Sequence, residues 1–248
     1  MKKRHAVLTI SVTLGALAAG VVACESEPSS TFDEKGGDAS FEQAPSLSFD
    51  SGDQGDAGSV DCNPRLPTTF APTWKPPTRA AGACSTSQMG AYIDACLSNP
   101  TDEAACKTWR DANAACTSCL EPAGNTGPIE QHLERAYATL NIAGCLSLLR
   151  NERDAGQCPS TYAASFECQR VSCDNCFSTP GANFEVDFRA CQAEAKTTGC
   201  TRYANAVQPS CGPGYAGTDG GAFGCFPKSA NEPAKDHFVR VMALFCGE

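Results

Sequence analysis

The stretch Cys84–Leu97 reads CSTSQMGAYIDACL, and two signals in it agree. Ser85 stands three residues before Gln88, the spacing of a capping box, in which a hydroxyl and a side-chain amide satisfy backbone N–H groups orphaned at a helix start. Met89, Tyr92, Ile93, Cys96 and Leu97 then recur at three or four residues, which puts them on one face of a helix of about 86–98. Asn99-Pro100 breaks that helix. Thr101, Asp102 and Glu103 start a second, carried to about residue 118 by alanines and by the i,i+4 pair Glu103–Lys107.

The same period continues outward. Pro128 opens a third segment whose apolar positions Ile129, Leu133, Tyr137 and Leu140, and beyond Gly144 Cys145 and Leu148, predict another helical stretch. Similar patterns cover about 160–171, 184–207 and 232–246, the last with Phe238, Val241, Met242 and Phe245 on one face. No segment shows sustained alternation. The expected fold class is all-α, a disulfide-stapled helical domain over 84–248.

Cysteine usage supplies the staples. The chain has 17 cysteines, and an odd count in an exported protein demands one with a separate fate. That one is Cys24. The other sixteen are candidate disulfide partners: Cys62, Cys84, Cys96, Cys106, Cys116, Cys119, Cys145, Cys158, Cys168, Cys173, Cys176, Cys191, Cys200, Cys211, Cys225 and Cys246. Such density belongs to an oxidising compartment. Sixteen cysteines allow about two million pairings, so the spacing leaves connectivity open. Cys84 to Cys119 are separated by 11, 9, 9 and 2 residues and Cys145 to Cys176 by 12, 9, 4 and 2, which suggests an internal duplication over 84–144 and 145–211.

Cys24 closes a distinctive N-terminus. Lys2, Lys3 and Arg4 precede an apolar run from Ala6 to Ala23, the order of a secretory signal, and Val21-Val22-Ala23-Cys24 resembles a bacterial lipobox. Residues 1–23 are read as a signal peptide and Cys24 as the lipidated N-terminus; a plain signal peptide and an uncleaved membrane helix are the alternatives. From Glu25 to Asp61 ten carboxylates face one cation, Lys35, in a Ser-, Gly- and Pro-rich segment without apolar periodicity. Residues 24–61 are therefore expected to be a disordered acidic tether. Asp50, Asp53 and Asp56 recur every third residue and miss the order of an EF-hand loop. Pro64, Pro67, Pro72, Pro76 and Pro77 mark 62–83 as an extended strap whose Phe70 and Trp74 pack onto the domain. Residues 62–248 carry 15 basic and 18 acidic side chains, a near balance that gives no footprint for nucleic acid.

The chemical motifs are weak by context. Cys116/Cys119 and Cys173/Cys176 have the C-x-x-C spacing of thiol–disulfide oxidoreductases, but CTSCL closes a helix, where the dipole destabilises a thiolate. The 53 residues between the pairs exceed the usual zinc-site spacing, so neither a metal site nor a cofactor is read. His132 and His237 sit in charged helical contexts and are expected at the surface. Gly212, Gly214 and Gly217 match G-x-G-x-x-G, yet Pro213 interrupts them and Cys211 and Cys225 bracket them; a displayed loop with Tyr215, Phe223 and Phe226 is the expectation. No catalytic residue stands out.

On ACSTSQMGAYIDACL, ANAACTSCL and LNIAGC, covering about 84–211, the chain resembles a group of uncharacterised cysteine-rich lipoproteins of bacterial genomes. Proteins similar to these are sometimes labelled tryptophan synthase alpha chain by automated naming. That enzyme is an eight-stranded barrel, and its catalytic residues match no position here. The expectation is a non-catalytic cell-envelope lipoprotein, held to the membrane by lipid on Cys24, with Glu25 favouring the outer membrane. Its cysteine-rich domain would contact an unidentified protein or surface ligand. An envelope oxidoreductase using a C-x-x-C pair is the alternative.

Overall fold

The computed structural model describes residues 62–65, 68–98, 102–132, 137–178, 184–216, 224–229 and 231–247. Helix α1 (Thr86–Tyr92) starts as its cap requires: Ser85 Oγ accepts from the Gln88 amide at 3.2 Å, and Gln88 Oε1 accepts from the Ser85 amide at 2.8 Å. Over Ile93–Leu97 the helix widens into π geometry, closed by the Ser98 amide donating to the Ile93 carbonyl. Helix α2 (Glu103–Ala112), capped by Asp102, is expected to run to 118 but stops at Asn113, and α3 (Ala114–Leu120) restarts. Asn113 explains the break. Its amide nitrogen donates to the Trp109 carbonyl and its Oδ1 accepts from Gln88, so the side chain competes with the helical ladder.

The largest departure from the helical expectation lies after Pro128. Strands β1 (Ile129–His132) and β2 (Tyr137–Leu140) form an antiparallel hairpin pairing Ile129 with Leu140 and Glu130 with Thr139. Of the residues in the three-to-four spacing, Ile129 lies on one strand and Tyr137 and Leu140 on the other, while Leu133 is outside the described residues. Ile129, Ala138 and Leu140 point into the apolar core, while Glu130, His132 and Thr139 fall on the opposite face. Asn141 then caps α4 (Ile142–Arg150), with its Oδ1 accepting from the Gly144 amide at 2.6 Å and its Nδ2 donating to the Gly127 carbonyl at 2.9 Å.

Helix α5 (Cys158–Ser172) has Pro159 in its first turn, where a missing N–H costs nothing, and leads into a 3₁₀ turn at Asp174–Ser178. The run expected over 184–207 is two helices, α6 (Phe184–Thr197) and α7 (Thr201–Cys211). The change of direction occurs at Gly199-Cys200, where Cys200 bonds covalently to Cys168 of α5. Helix α8 (Ala234–Cys246) completes the order. The domain is mostly helical and disulfide-rich, with the hairpin as its strand component among the described residues.

All sixteen cysteines from Cys62 onward are in disulfides: Cys62–Cys176, Cys84–Cys116, Cys96–Cys106, Cys119–Cys246, Cys145–Cys225, Cys158–Cys211, Cys168–Cys200 and Cys173–Cys191. The two cysteine sets of the suggested duplication are stapled differently. Cys84–Cys116 and Cys96–Cys106 close within the first set, whereas every cysteine of the second bonds outside it. The main core gathers Tyr92, Leu120, Ile129, Leu146 and Phe226 around Phe238, Val241, Met242 and Phe245 of α8. A smaller core consists of Cys168, Cys173, Cys176, Cys191, Cys200 and Ala195, with Phe70 of the strap edge-on to Tyr203 at 5.2 Å.

The strap lies on the domain by backbone bonding: Ala80, Gly82 and Cys84 donate to the carbonyls of Phe245, Gly247 and Cys246. Residues 1–61, with the expected signal peptide, Cys24 and tether, lie outside the described residues. Among the described residues no helix is long and apolar enough to cross a membrane.

Asn141 joins the hairpin to α4 through buried hydrogen bonds that alanine cannot make. Asn141→Ala is expected to lower the unfolding free energy by about 2–4 kcal/mol, combining a lost helix cap with unsatisfied buried backbone groups. Urea denaturation with disulfides intact measures this; a loss under about 0.5 kcal/mol would mean the backbone finds other partners.

Candidate functional site

A cavity is lined by the strap at Thr73–Lys75, the hairpin and one face of α5, with the Gly124–Asn125 loop and the start of α4. Its volume is about 430 Å³, within the range of small-molecule sites. Tyr162, Phe166, Glu167 and Arg170 line it from α5, where spacings of three and four residues place them together. Glu130 and His132 line it from β1, and Trp74 and Lys75 from the strap.

The strap is latched across this space. Thr73 donates from its backbone amide to Glu167 Oε2 and from its hydroxyl to Glu167 Oε1, each at 3.0 Å. Further along, Thr78 donates its amide to the Thr126 carbonyl at 2.8 Å. Lys75 reaches the rim of the cavity beside Gly124, whose positive φ of 84° suits the loop that leads to the hairpin.

Glu130 is the chemically distinctive group. It is half-buried, and its carboxylate accepts a long hydrogen bond of 3.5 Å from the Thr139 hydroxyl. That hydroxyl also lies 3.3 Å from His132 Nε2. Burial pushes the Glu130 carboxyl up to about 7; Arg170 and the Thr139 hydroxyl oppose the shift, and Glu167 adds to it. The Trp74 indole nitrogen is buried and has no hydrogen-bond partner among the described residues. A donor and an acceptor are thus both under-satisfied in one cavity. Burial also holds the Tyr162 phenol protonated, reinforced by Glu130.

A second cavity of about 280 Å³ lies between α5, α6 and α7, bounded by Arg189, Lys196, Gln169 and Tyr215. Tyr162 and Phe166 border both spaces.

Several sequence expectations change here. Neither histidine is at the surface: His132 is buried in the hairpin, and His237 is fully buried with Nε2 at 2.8 Å from the Cys225 carbonyl oxygen and Nδ1 unpartnered among the described residues. Burial lowers the His237 pKa, favouring the neutral ring. The expected aromatic display after Cys211 is also corrected. Phe226 is in the core and the half-buried Tyr215 packs edge-on to it, while Phe223 is outside the described residues. Exclusion of their rings from water outweighs the glycine-rich character of the neighbouring loop.

Neither C-x-x-C motif is internally bonded. Cys116 and Cys119 reach Cys84 and Cys246, and Cys173 and Cys176 reach Cys191 and Cys62. The sulfurs of Cys62, Cys176 and Cys191 lie within 4.8 Å of one another, but each is in a disulfide and offers no thiolate to a metal. Glu130 and Arg170 were not marked by the sequence reading, and Trp74 was marked only as a strap aromatic packing onto the domain, which it does.

Compared with known proteins, the chain matches no family model, no curated sequence and no solved structure. The chemistry of the cavity is therefore the basis for a functional reading, and Glu130 gives it a measurable signature. Because its pKa is raised from 4.5 in the folded state, Glu130 contributes stability fully below that value and loses this contribution as pH rises through about 7. Glu130→Gln removes the titration. Relative to wild type, the variant should gain about 3 kcal/mol of unfolding free energy between about pH 4 and pH 8, read from urea curves. A pH-independent difference would assign Glu130 an ordinary carboxylate pKa.

Proposed function

We propose that this chain is a non-catalytic, exported lipoprotein whose disulfide-locked domain binds a small polar ligand. In this reading Cys24 carries the lipid, residues 25–61 form the acidic tether, and the outer membrane of a bacterial envelope is the anchoring surface. The many disulfides suggest an oxidising, non-cytoplasmic location. The finer placement rests on the lipobox-like Val21–Cys24 and on the resemblance to cysteine-rich lipoproteins.

The observation that carries the binding function is the cavity's combination of a desolvated carboxyl, an unpartnered indole N–H and aromatic walls. Burying a polar group without partners is costly in a purely structural position. A bound ligand can supply those partners. The elements around the space are fixed covalently and by the Thr73–Glu167 latch, which favours preorganised binding.

Two measurements test this proposal. Intact mass of the membrane-extracted protein should show a chain beginning at lipid-modified Cys24, with sixteen alkylation sites appearing only after reduction. An unmodified Cys24 would overturn the anchor. A thermal-shift screen of amino acids, sugars, amines and organic acids should find a ligand raising Tm by about 5–10 °C at roughly a hundredfold excess over Kd. Ala163→Trp, which fills the cavity from α5, should abolish that shift. Absence of binding across the screen would overturn the binding-module reading.

A further inference from the structure

We infer that the cavity under the strap takes a zwitterion of the amino-acid class, its ammonium group received by Glu130 and its carboxylate by the Trp74 indole N–H and the Lys75 ammonium. This rests on the binding function proposed above and specifies the ligand. The inference follows from which polar groups are already committed.

Both Glu167 oxygens accept from Thr73. Asn141 spends its amide on Gly127 and Gly144, and Asn125 donates to the Gln131 carbonyl at 3.4 Å. Glu130 and Trp74 are poorly served, and the cations Lys75 and Arg170 line the same cavity. Glu130 accepts one long hydrogen bond, from Thr139, and Trp74 Nε1 has no partner among the described residues. The first needs a donor and the second needs an acceptor, so a complementary molecule must offer both.

Charge separates a zwitterion from a neutral polyol. The titratable groups that line the cavity with Glu130 are His132 on the hairpin, Tyr162, Glu167 and Arg170 on α5, and Lys75 on the strap. Arg170 is the cation that acts on the Glu130 carboxyl, while Glu167 opposes ionisation of that carboxyl. An ammonium group can donate to Glu130 as a charged partner while a carboxylate on the same ligand meets Lys75, a pairing that a hydroxyl cannot reproduce. Trp74, Tyr162 and Phe166 also line the cavity, and their ring faces attract a desolvated cation. A ligand with only an amine would leave the indole N–H unsatisfied, and one with only a carboxylate would place a third carboxylate beside Glu130 and Glu167.

The test is calorimetric titration of the full mature chain with L-alanine, L-leucine, L-phenylalanine and L-lysine, each beside the matching decarboxylated amine and the matching acid lacking its α-amino group. At least one amino acid should bind about tenfold or more tightly than both of its analogues. Its affinity should rise with pH to about 7 and then level as Glu130 completes ionisation. Glu130→Gln should weaken binding by about tenfold or more and remove this dependence, whereas Trp74→Phe should weaken binding and retain it.

Equal binding of a single-charge analogue overturns the inference, as does failure of all four amino acids to bind at about 10 mM. A neutral sugar that binds instead, and is blocked by Ala163→Trp, removes the zwitterion but leaves the binding module standing. Failure of every ligand class removes both. The wild-type analogue comparison decides the ligand chemistry even if a variant does not fold.

Discussion

The long-range disulfides set where the remaining elements can go. Cys119–Cys246 and Cys145–Cys225 close separations of 127 and 80 residues, fixing α8 and the segment before it against α3 and α4. With those ends held, Phe238, Val241, Met242 and Phe245 fill the centre of the main core. Cross-links of this length restrict the unfolded chain most in the chain-entropy model, although each one shortens the effective loop of the others. The smaller core carries this dependence further: its buried side chains are five cysteines and one alanine. Packing there is inseparable from oxidation.

Covalent restraint also permits a buried polar surface. The hairpin has two faces, one supplying Ile129 and Leu140 to the core and the other supplying Glu130 and His132 to the cavity lining, with Thr139 bonded to both. A two-stranded hairpin alone is marginal in water. Here Pro128 accepts from the Asn141 amide, and Asn141 bonds back to Gly127, so the hairpin base and the start of α4 form one unit. The strap completes the enclosure because Cys62–Cys176 and Cys84–Cys116 hold its two ends while Thr73 meets Glu167 between them.

Much of the helical scaffold was legible because its signals were local. The Ser85–Gln88 box, the Asp102 cap and the apolar face of α8 each occupy one turn or a few, and tertiary packing agrees with them. The hairpin was not legible for a physical reason. Its apolar residues lie on two strands, so spacings from one strand to the other imitate a helical period. This error also hid the site. On a helix Glu130 and His132, two apart, point to different sides; on a strand they share a face. The surface expectation for His237 failed because Lys235 and Asp236 alone turn to solvent, while Arg240, one turn on, bonds to the Gly224 and Phe226 carbonyls on either side of the Cys225 carbonyl that the His237 ring meets.

The disulfide network and the under-satisfied cavity belong to one argument. A buried carboxyl pushed up to about 7 opposes folding at neutral pH, and an unpartnered buried indole N–H adds a penalty. In a small domain held only by apolar packing, such terms would consume a large fraction of the net stability. Cross-linking restrains the alternatives that would relieve them by opening the cavity or drawing Trp74 back into water. Glu130 and Trp74 consequently remain in the cavity lining with hydrogen-bonding capacity unused. Under the proposed binding function, that fixed geometry and unmet polar demand are what a bound ligand would meet.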